Sequence, residues 1–201
     1  MNLRERKEVI VKQVFEGFEL LGYETRNKYS IQTIEGSSIG YAAEQQKGVF
    51  NFLFRQFLGH FRKFDIHFFN NQKEETFMAH HPFRWYFQRL EINTPSGEKV
   101  GVLEKRFSML SKKFDVQDSN GRVILEMRSP IWKFWTFPFF YKNQEVARVE
   151  KKWTGLLAES FTDKDTFLVK FNKEDLSESE RQVILATSVF IDLQFFEKKA
   201  D

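Results

Sequence analysis

The stretch VILATSVFIDLQFF, residues 183–196, decides how this chain folds. Ten of its fourteen residues are apolar, and Val183, Ile184, Leu185, Val189, Phe190, Ile191 and Phe195 fall on every side of a 3.6-residue period. A helix with no wet face must be enclosed. Ser177 and Glu180 stand three apart ahead of it as a capping box, and Lys198 and Lys199 follow where the helix dipole favours cations. A central buried helix is therefore predicted over residues 178–197. Fourteen residues make about 21 Å of helix against roughly 30 Å of bilayer hydrocarbon. A membrane anchor would also leave Asp192 in that hydrocarbon, so the protein interior is the expected place.

The enclosure has to come from the preceding chain, which reads as β almost throughout. The runs 64–69, 90–93, 114–117 and 139–141 each lead into a polar turn: Asn70-Asn71-Gln72-Lys73, Pro95-Ser96-Gly97-Glu98, Asp118-Ser119-Asn120-Gly121 and Lys142-Asn143-Gln144. Two shorter runs, 29–34 and 38–43, flank Glu35 and Gly36. Successive hairpins at a roughly 25-residue period make a meander. The expected fold is mainly β: a closed antiparallel barrel over residues 28–172 around the hydrophobic C-terminal helix. Val9, Val11, Val14, Phe15, Phe18 and Leu21 recur at three- and four-residue spacing and predict an amphipathic helix within residues 1–22, packed on the outside. No stretch is rich enough in Pro, Gly or Ser to be a linker, so residues 1–201 are read as one domain.

With no cysteine, disulfide scaffolding and thiolate chemistry are excluded and a reducing compartment is suggested. Residues 1–15 lack the apolar centre of a signal peptide, so the cytoplasmic side of a membrane is the expected location, peripheral or partly inserted. His60, His67, His80 and His81 lack metal-like spacing, and there is no phosphate-binding loop, dinucleotide fingerprint or nucleophile elbow. Bond-making catalysis is not expected.

An up-and-down meander sends its hairpin turns to one pole and the connections between hairpins to the other. The second pole then receives residues 45–64, 76–90, 105–114 and 127–144 with the strand ends leading into them. These 63 residues contain no Asp or Glu, where an even spread of the chain's 28 carboxylates would place about nine. They carry thirteen cations: Lys47, Arg55, Arg62, Lys63, Arg84, Arg89, Lys105, Arg106, Lys112, Lys113, Arg128, Lys133 and Lys142. Interleaved with them are Phe50, Phe52, Phe54 and Phe57; Phe83, Trp85 and Tyr86; and Trp132, Phe134, Trp135 and Phe137. Rings and cations without carboxylates are what an anionic bilayer interface selects. The expected lipid-facing set is these eleven aromatics with Arg55, Arg84 and Lys133. Two other readings stay open: core residues of misassigned strands, and a nucleic-acid platform, which the net charge of +3 and the greasiness of Phe52-Leu53-Phe54 disfavour.

Residues 150–197 carry a family resemblance. Lys151-Lys152-Trp153-Thr154-Gly155-Leu156-Leu157, Glu159-Ser160-Phe161-Thr162-Asp163-Lys164-Asp165-Thr166-Phe167 and the helix ending Phe190-Ile191-Asp192-Leu193-Gln194-Phe195-Phe196-Glu197 closely resemble the C-terminal part of phospholipid scramblases. The likeness extends upstream through Gly22-Tyr23-Glu24-Thr25-Arg26-Asn27-Lys28-Tyr29 and Tyr41-Ala42-Ala43-Glu44, nearly the whole chain. That family is similar in turn to Tubby C-terminal domains, which implies a closed barrel of about twelve strands threaded by its C-terminal helix. It also implies calcium-responsive, ATP-independent exchange of phospholipids between leaflets. Animal members carry palmitoylated cysteines where residues 45–61 and 82–88 align; the Phe, Trp and Tyr found here exclude acyl anchoring. The animal proteins' Pro-rich N-terminal extension has no counterpart before Met1 in this sequence, so functions residing there are not transferred.

The family's proposed calcium segment matches residues 163–174. Asp163, Asp165 and Glu174 occupy positions 1, 3 and 12 of an EF-hand count, but Phe167 and Leu168 stand where an oxygen ligand and the turn glycine belong. Alternation of Phe167, Val169 and Phe171 reads instead as a strand. The functional expectation is a scramblase docking on anionic phospholipid membrane, with a non-translocating lipid-binding tether as the alternative. A filled barrel leaves no hydrophilic track, so movement of a headgroup requires a homo-oligomer or partial opening.

Overall fold

The computed structural model describes residues 1–14, 25–45, 63–152 and 166–196. Twelve strands run through them: β1 (Glu8–Val14), β2 (Thr25–Gln32), β3 (Ser38–Gln45), β4 (Phe64–Phe69), β5 (Glu75–His81), β6 (Arg89–Asn93), β7 (Lys99–Arg106), β8 (Ser111–Gln117), β9 (Val123–Pro130), β10 (Thr136–Tyr141), β11 (Gln144–Lys152) and β12 (Thr166–Phe171). A helix, α1 (Glu178–Ile191), follows and continues as one π-helical turn, Asp192–Phe196. Each strand pairs antiparallel with its sequence neighbours, and β12 returns to β1 with Val169 opposite Val9 and Phe167 opposite Val11. The sheet closes and has no edge.

Period-two alternation fills the barrel. On β5, Phe77, Ala79 and His81 are buried while Thr76, Met78 and His80 are only partly so; β9 buries Leu125, Met127 and Ser129 in the same way. These inward side chains meet α1. The Phe190 ring lies 6.4 Å from Phe64 and 6.1 Å from Phe114, centroid to centroid. Gly101 lets β7 touch the helix, since a Cβ there would stand 2.9 Å from Val183 Cγ2. Val183, Ile184, Leu185, Val189, Phe190 and Ile191 are all buried, as a helix without a wet face requires. Phe195 is not: it lies in the π-helical turn and is 39% exposed. The capping box forms, with Glu180 N donating to Ser177 Oγ (3.2 Å) and Ser177 N to Glu180 Oε2 (2.7 Å).

The N-terminal helix expected within residues 1–22 is a correction. Residues 8–14 form β1, and the remainder of the expected helix, 15–22, lies outside the described residues. Val9 and Val11 face the core two apart, and the barrel closes only through this strand. The barrel accordingly starts at residue 8, not 28.

Four hairpins share one hydrogen-bond pattern. Thr33, Asn70, Thr94 and Asp118 each accept at their carbonyl from the residue three on and donate to the carbonyl four on, at 2.8–3.1 Å. The third residue after each, Gly36, Lys73, Gly97 or Gly121, has φ of 86, 64, 90 or 80°. This is a type I turn closed by a left-handed residue and a bulge. The fifth hairpin, with Lys142 and Asn143 at φ 45° and 68°, is the two-residue type that needs both positions left-handed. All five turns lie at one end of the barrel, where α1 also begins. Arg181, buried among them, donates to the carbonyls of Leu176, Leu3, Arg6, Lys173 and Glu174 and closes that end. The connections 82–88, 107–110 and 131–135 lie at the other end, with the C-terminal end of α1 between them.

Candidate functional site

At that second end, the mouth, short connections hold apolar side chains in water. Phe83, Trp85, Tyr86 and Phe87 come from 82–88; Phe107, Met109 and Leu110 from 107–110; Ile131, Trp132, Phe134 and Trp135 from 131–135; and Phe195 from the π turn. These are twelve of the fifteen large hydrophobic residues exposed among the described residues, so the apolar surface is concentrated at one end. The connections are held in place by their backbones. Ile131 N donates to Leu110 O (3.2 Å), Lys151 N to Trp135 O (2.8 Å), and Ser129 Oγ bonds to Lys133 O (3.0 Å) and Thr136 O (2.7 Å). The Trp135 ring stacks on Phe196 at 5.1 Å and 18°, and Phe83 meets Trp85 edge-on at 5.2 Å. Among the described residues, Trp85 at 60% and Trp132 at 66% exposure are the tryptophans displayed most fully.

Most of the expected aromatic set comes together here. Phe83, Trp85, Tyr86, Trp132, Phe134 and Trp135 share the mouth with Arg84 and Lys133. Phe137 does not belong with them: β10 has begun at Thr136, and Phe137 is fully buried on its inner face. Phe50, Phe52, Phe54, Arg55 and Phe57 lie outside the described residues.

The thirteen expected cations separate by environment. Lys47, Arg55 and Arg62 lie outside the described residues, and Lys142 sits in a turn at the opposite end. Arg89, Arg106 and Arg128 stand on the barrel wall paired with Glu91 and Glu104, with Asp115, and with Glu126. Six remain at the mouth: Lys63, Arg84, Lys105, Lys112, Lys113 and Lys133. Among the described residues none of these six pairs with a carboxylate. Burial holds the Lys112 ammonium below the ordinary lysine pKa, and its Nζ stands over three rings, 4.7 Å from Phe195, 4.9 Å from Phe137 and 5.5 Å from Phe134. Lys112 and Lys105 are inward positions that the charge count did not single out. Their phase with Phe114 and Leu103 on β8 and β7 is the signal that reveals them.

Glu174 lies apart from this end. It follows β12 near the turns, exposed and 3.2 Å from Lys7 Nζ. Asp163 and Asp165 lie outside the described residues, and among the described residues no cluster of three metal-ligating side chains occurs. No helix among them is long and apolar enough to cross a membrane.

A family model described as Scramblase matches residues 1–198. The chain belongs to the scramblase family. Within it, bovine phospholipid scramblase 2 is 30% identical over 210 residues, covering 97% of this chain and 70% of that protein. Human phospholipid scramblase 1 is 28% identical over 210 residues, covering 97% of this chain and 64% of that protein. This scramblase-family chain thus spans a little under two thirds of the human relative. A crystal structure of an Arabidopsis thaliana protein aligns with 92% of the chain and 88% of its own length at 10% identity and a TM-score of 0.48, too remote to inform the site.

Proposed function

We propose that the mouth docks on anionic phospholipid membranes and that the docked chain promotes bidirectional, ATP-independent movement of phospholipids between leaflets. The observation that carries this reading is the coincidence, at one end of a closed barrel and among the described residues, of twelve exposed large apolar side chains with six cations that take no carboxylate. Rings of Trp and Tyr favour the headgroup level of a bilayer, and cations beside them gain roughly 1 kcal/mol each from an anionic surface. Membership of a family whose named relatives are phospholipid scramblases supports lipid movement over simple adhesion. Because α1 fills the barrel, the lipid path is assigned to contacts between copies of the chain or to a partly opened mouth.

The filled interior favours a second reading, a tether that binds lipid and moves none. Liposomes separate the two. A Trp85→Ser/Trp132→Ser/Phe107→Ser variant is expected to float poorly on vesicles containing phosphatidylserine while its far-ultraviolet circular dichroism is unchanged; undiminished flotation refutes docking by the mouth. With the unaltered chain in symmetric vesicles of fluorescent lipid, dithionite quenching beyond the outer-leaflet fraction is expected. Tight binding without extra quenching leaves the tether. Repeating the assay with a calcium chelator reads any contribution from Asp163 and Asp165.

A further inference from the structure

Inward-facing side chains change character along the barrel axis. Toward the sealed end they are apolar, among them Val9, Ile31, Ile92 and Val116. Although Phe64 and Phe137 stay apolar there, several of the last inward positions at the mouth turn polar. On β1–β3 these are Gln13, Asn27 and Glu44, joined by hydrogen bonds of 3.0 Å (Gln13 Nε2 to Asn27 Oδ1) and 2.7 Å (Asn27 Nδ2 to Glu44 Oε2). On β6–β8 they are Gln88, just ahead of β6, then Lys105 and Lys112, in phase with Leu90, Leu103 and Phe114. The first trio answers its own polar groups; the second presents two ammoniums.

Pairing places the second trio side by side. Lys105 N donates to Gln88 O at 2.8 Å, and Lys105 lies opposite Phe114. Lys112, two positions before Phe114 on the same face, is the diagonal neighbour of Lys105, with Cβ atoms about 7–8 Å apart. Neither lysine pairs with a carboxylate among the described residues. The wall pairs, such as Arg148 with Glu145 and Glu150, are otherwise compensated. Gln88 is buried, 7% exposed, and its Oε1 has no hydrogen-bond partner. Turning the amide over puts an NH₂ donor in the same place. Two ammoniums and a donor on the inward face of neighbouring strands, with no carboxylate answering them among the described residues, favour an anion at that lining.

We propose that Gln88, Lys105 and Lys112 bind the phosphodiester of a glycerophospholipid whose headgroup enters the mouth, with Phe134 and Phe195 receiving its glycerol and acyl portion. The rings beside Lys112 select a lipid over a free anion, because an inorganic phosphate would leave them in water. The site rests on docking by the mouth, but it can fail alone.

The test uses the full chain with ¹³C-labelled lysine and follows the Lys105 and Lys112 Cε resonances. Dihexanoyl phosphatidylserine, below micelle formation, is expected to shift both. Lys105→Gln/Lys112→Gln should weaken that binding by at least about tenfold, and Lys112→Arg should restore it over Lys112→Gln. Lys142→Gln, at the opposite end, should leave it unchanged. Circular dichroism checks the fold, and the Lys112 single variants carry the comparison if the double variant unfolds. Unmoved resonances on lipid addition overturn the site, as does inorganic phosphate binding equally tightly. Flotation on phosphatidylserine vesicles, measured alongside, isolates the cause: normal flotation with unmoved resonances refutes the headgroup site and leaves docking standing.

Discussion

Arg181 closes the sealed end with five backbone carbonyls and no carboxylate, its guanidinium 4.6 Å above the Phe171 ring. Burial pulls its pKa down, yet an arginine stays protonated at any working pH. Arg181→Met should therefore strand several carbonyls and cost about 3 kcal/mol in urea unfolding. On the wall, burial pushes the Glu150 carboxyl up, but hydrogen bonds from Lys152 (2.7 Å) and Arg148 (3.0 Å) outweigh it and leave the pKa lowered. A lowered folded-state pKa contributes stability above the unfolded value, and that contribution is lost as pH falls through the folded one. Glu150→Gln is thus expected to shrink the drop in urea midpoint between neutral pH and pH below the ordinary carboxylate range. Neither role was legible beforehand. Arg181 reads as an ordinary cation in the first turn of a helix, and nothing local says that five carbonyls converge on it.

Elements were legible where local chemistry and tertiary demand agree. The helix is visible because apolar residues surround its whole circumference and Ser177 and Glu180 mark its start. The hairpins are visible because Gly36, Gly97 and Gly121 sit where the turn requires positive φ. Gly97→Ala should cost about 1 kcal/mol through that backbone conformation alone, since open space surrounds its Cβ position; thermal unfolding reads it. Gly101→Ala should cost more, about 1–3 kcal/mol, because the added methyl meets Gln117 O and Val183 Cγ2 at 2.9 Å. β1 escapes a periodicity reading because Val11, Val14, Phe15 and Phe18 satisfy a three-to-four spacing while only Val9 and Val11 alternate, and the need to close the sheet decides between them. Phe137 was misplaced by the same limit. Seven of the ten residues from 132 to 141 are aromatic, and the boundary at Thr136 between connection and strand follows from pairing with β11.

At the scale of the molecule, composition gave the polarity of the barrel but not the direction each charge faces. Missing carboxylates pointed to one end; the strand faces then separated the wall cations Arg89, Arg106 and Arg128, each with its acid, from the six mouth cations, which have none among the described residues. The inner lining of that mouth could be read only after the register was known. α1 is fastened at its start by the Arg181 network and finishes at the mouth in a π turn with Phe195 half in water. Hydrogen exchange within the helix should consequently run faster at Phe195 and Phe196 than near Val183 to Val189, with vesicles slowing the former; uniform protection along the helix would contradict this.

Clasped by Arg181 at its start and by Tyr29 and Lys151 on Asp192 at its finish, the helix is a stopper wired at both rims of the bottle. Uncovering the polar lining beneath its outer rim must first break the hydrogen bond from Tyr29 Oη to Asp192 Oδ2 (2.9 Å) and the Lys151–Asp192 pair (3.6 Å), so lifting that end carries a definite cost of its own, short of global unfolding.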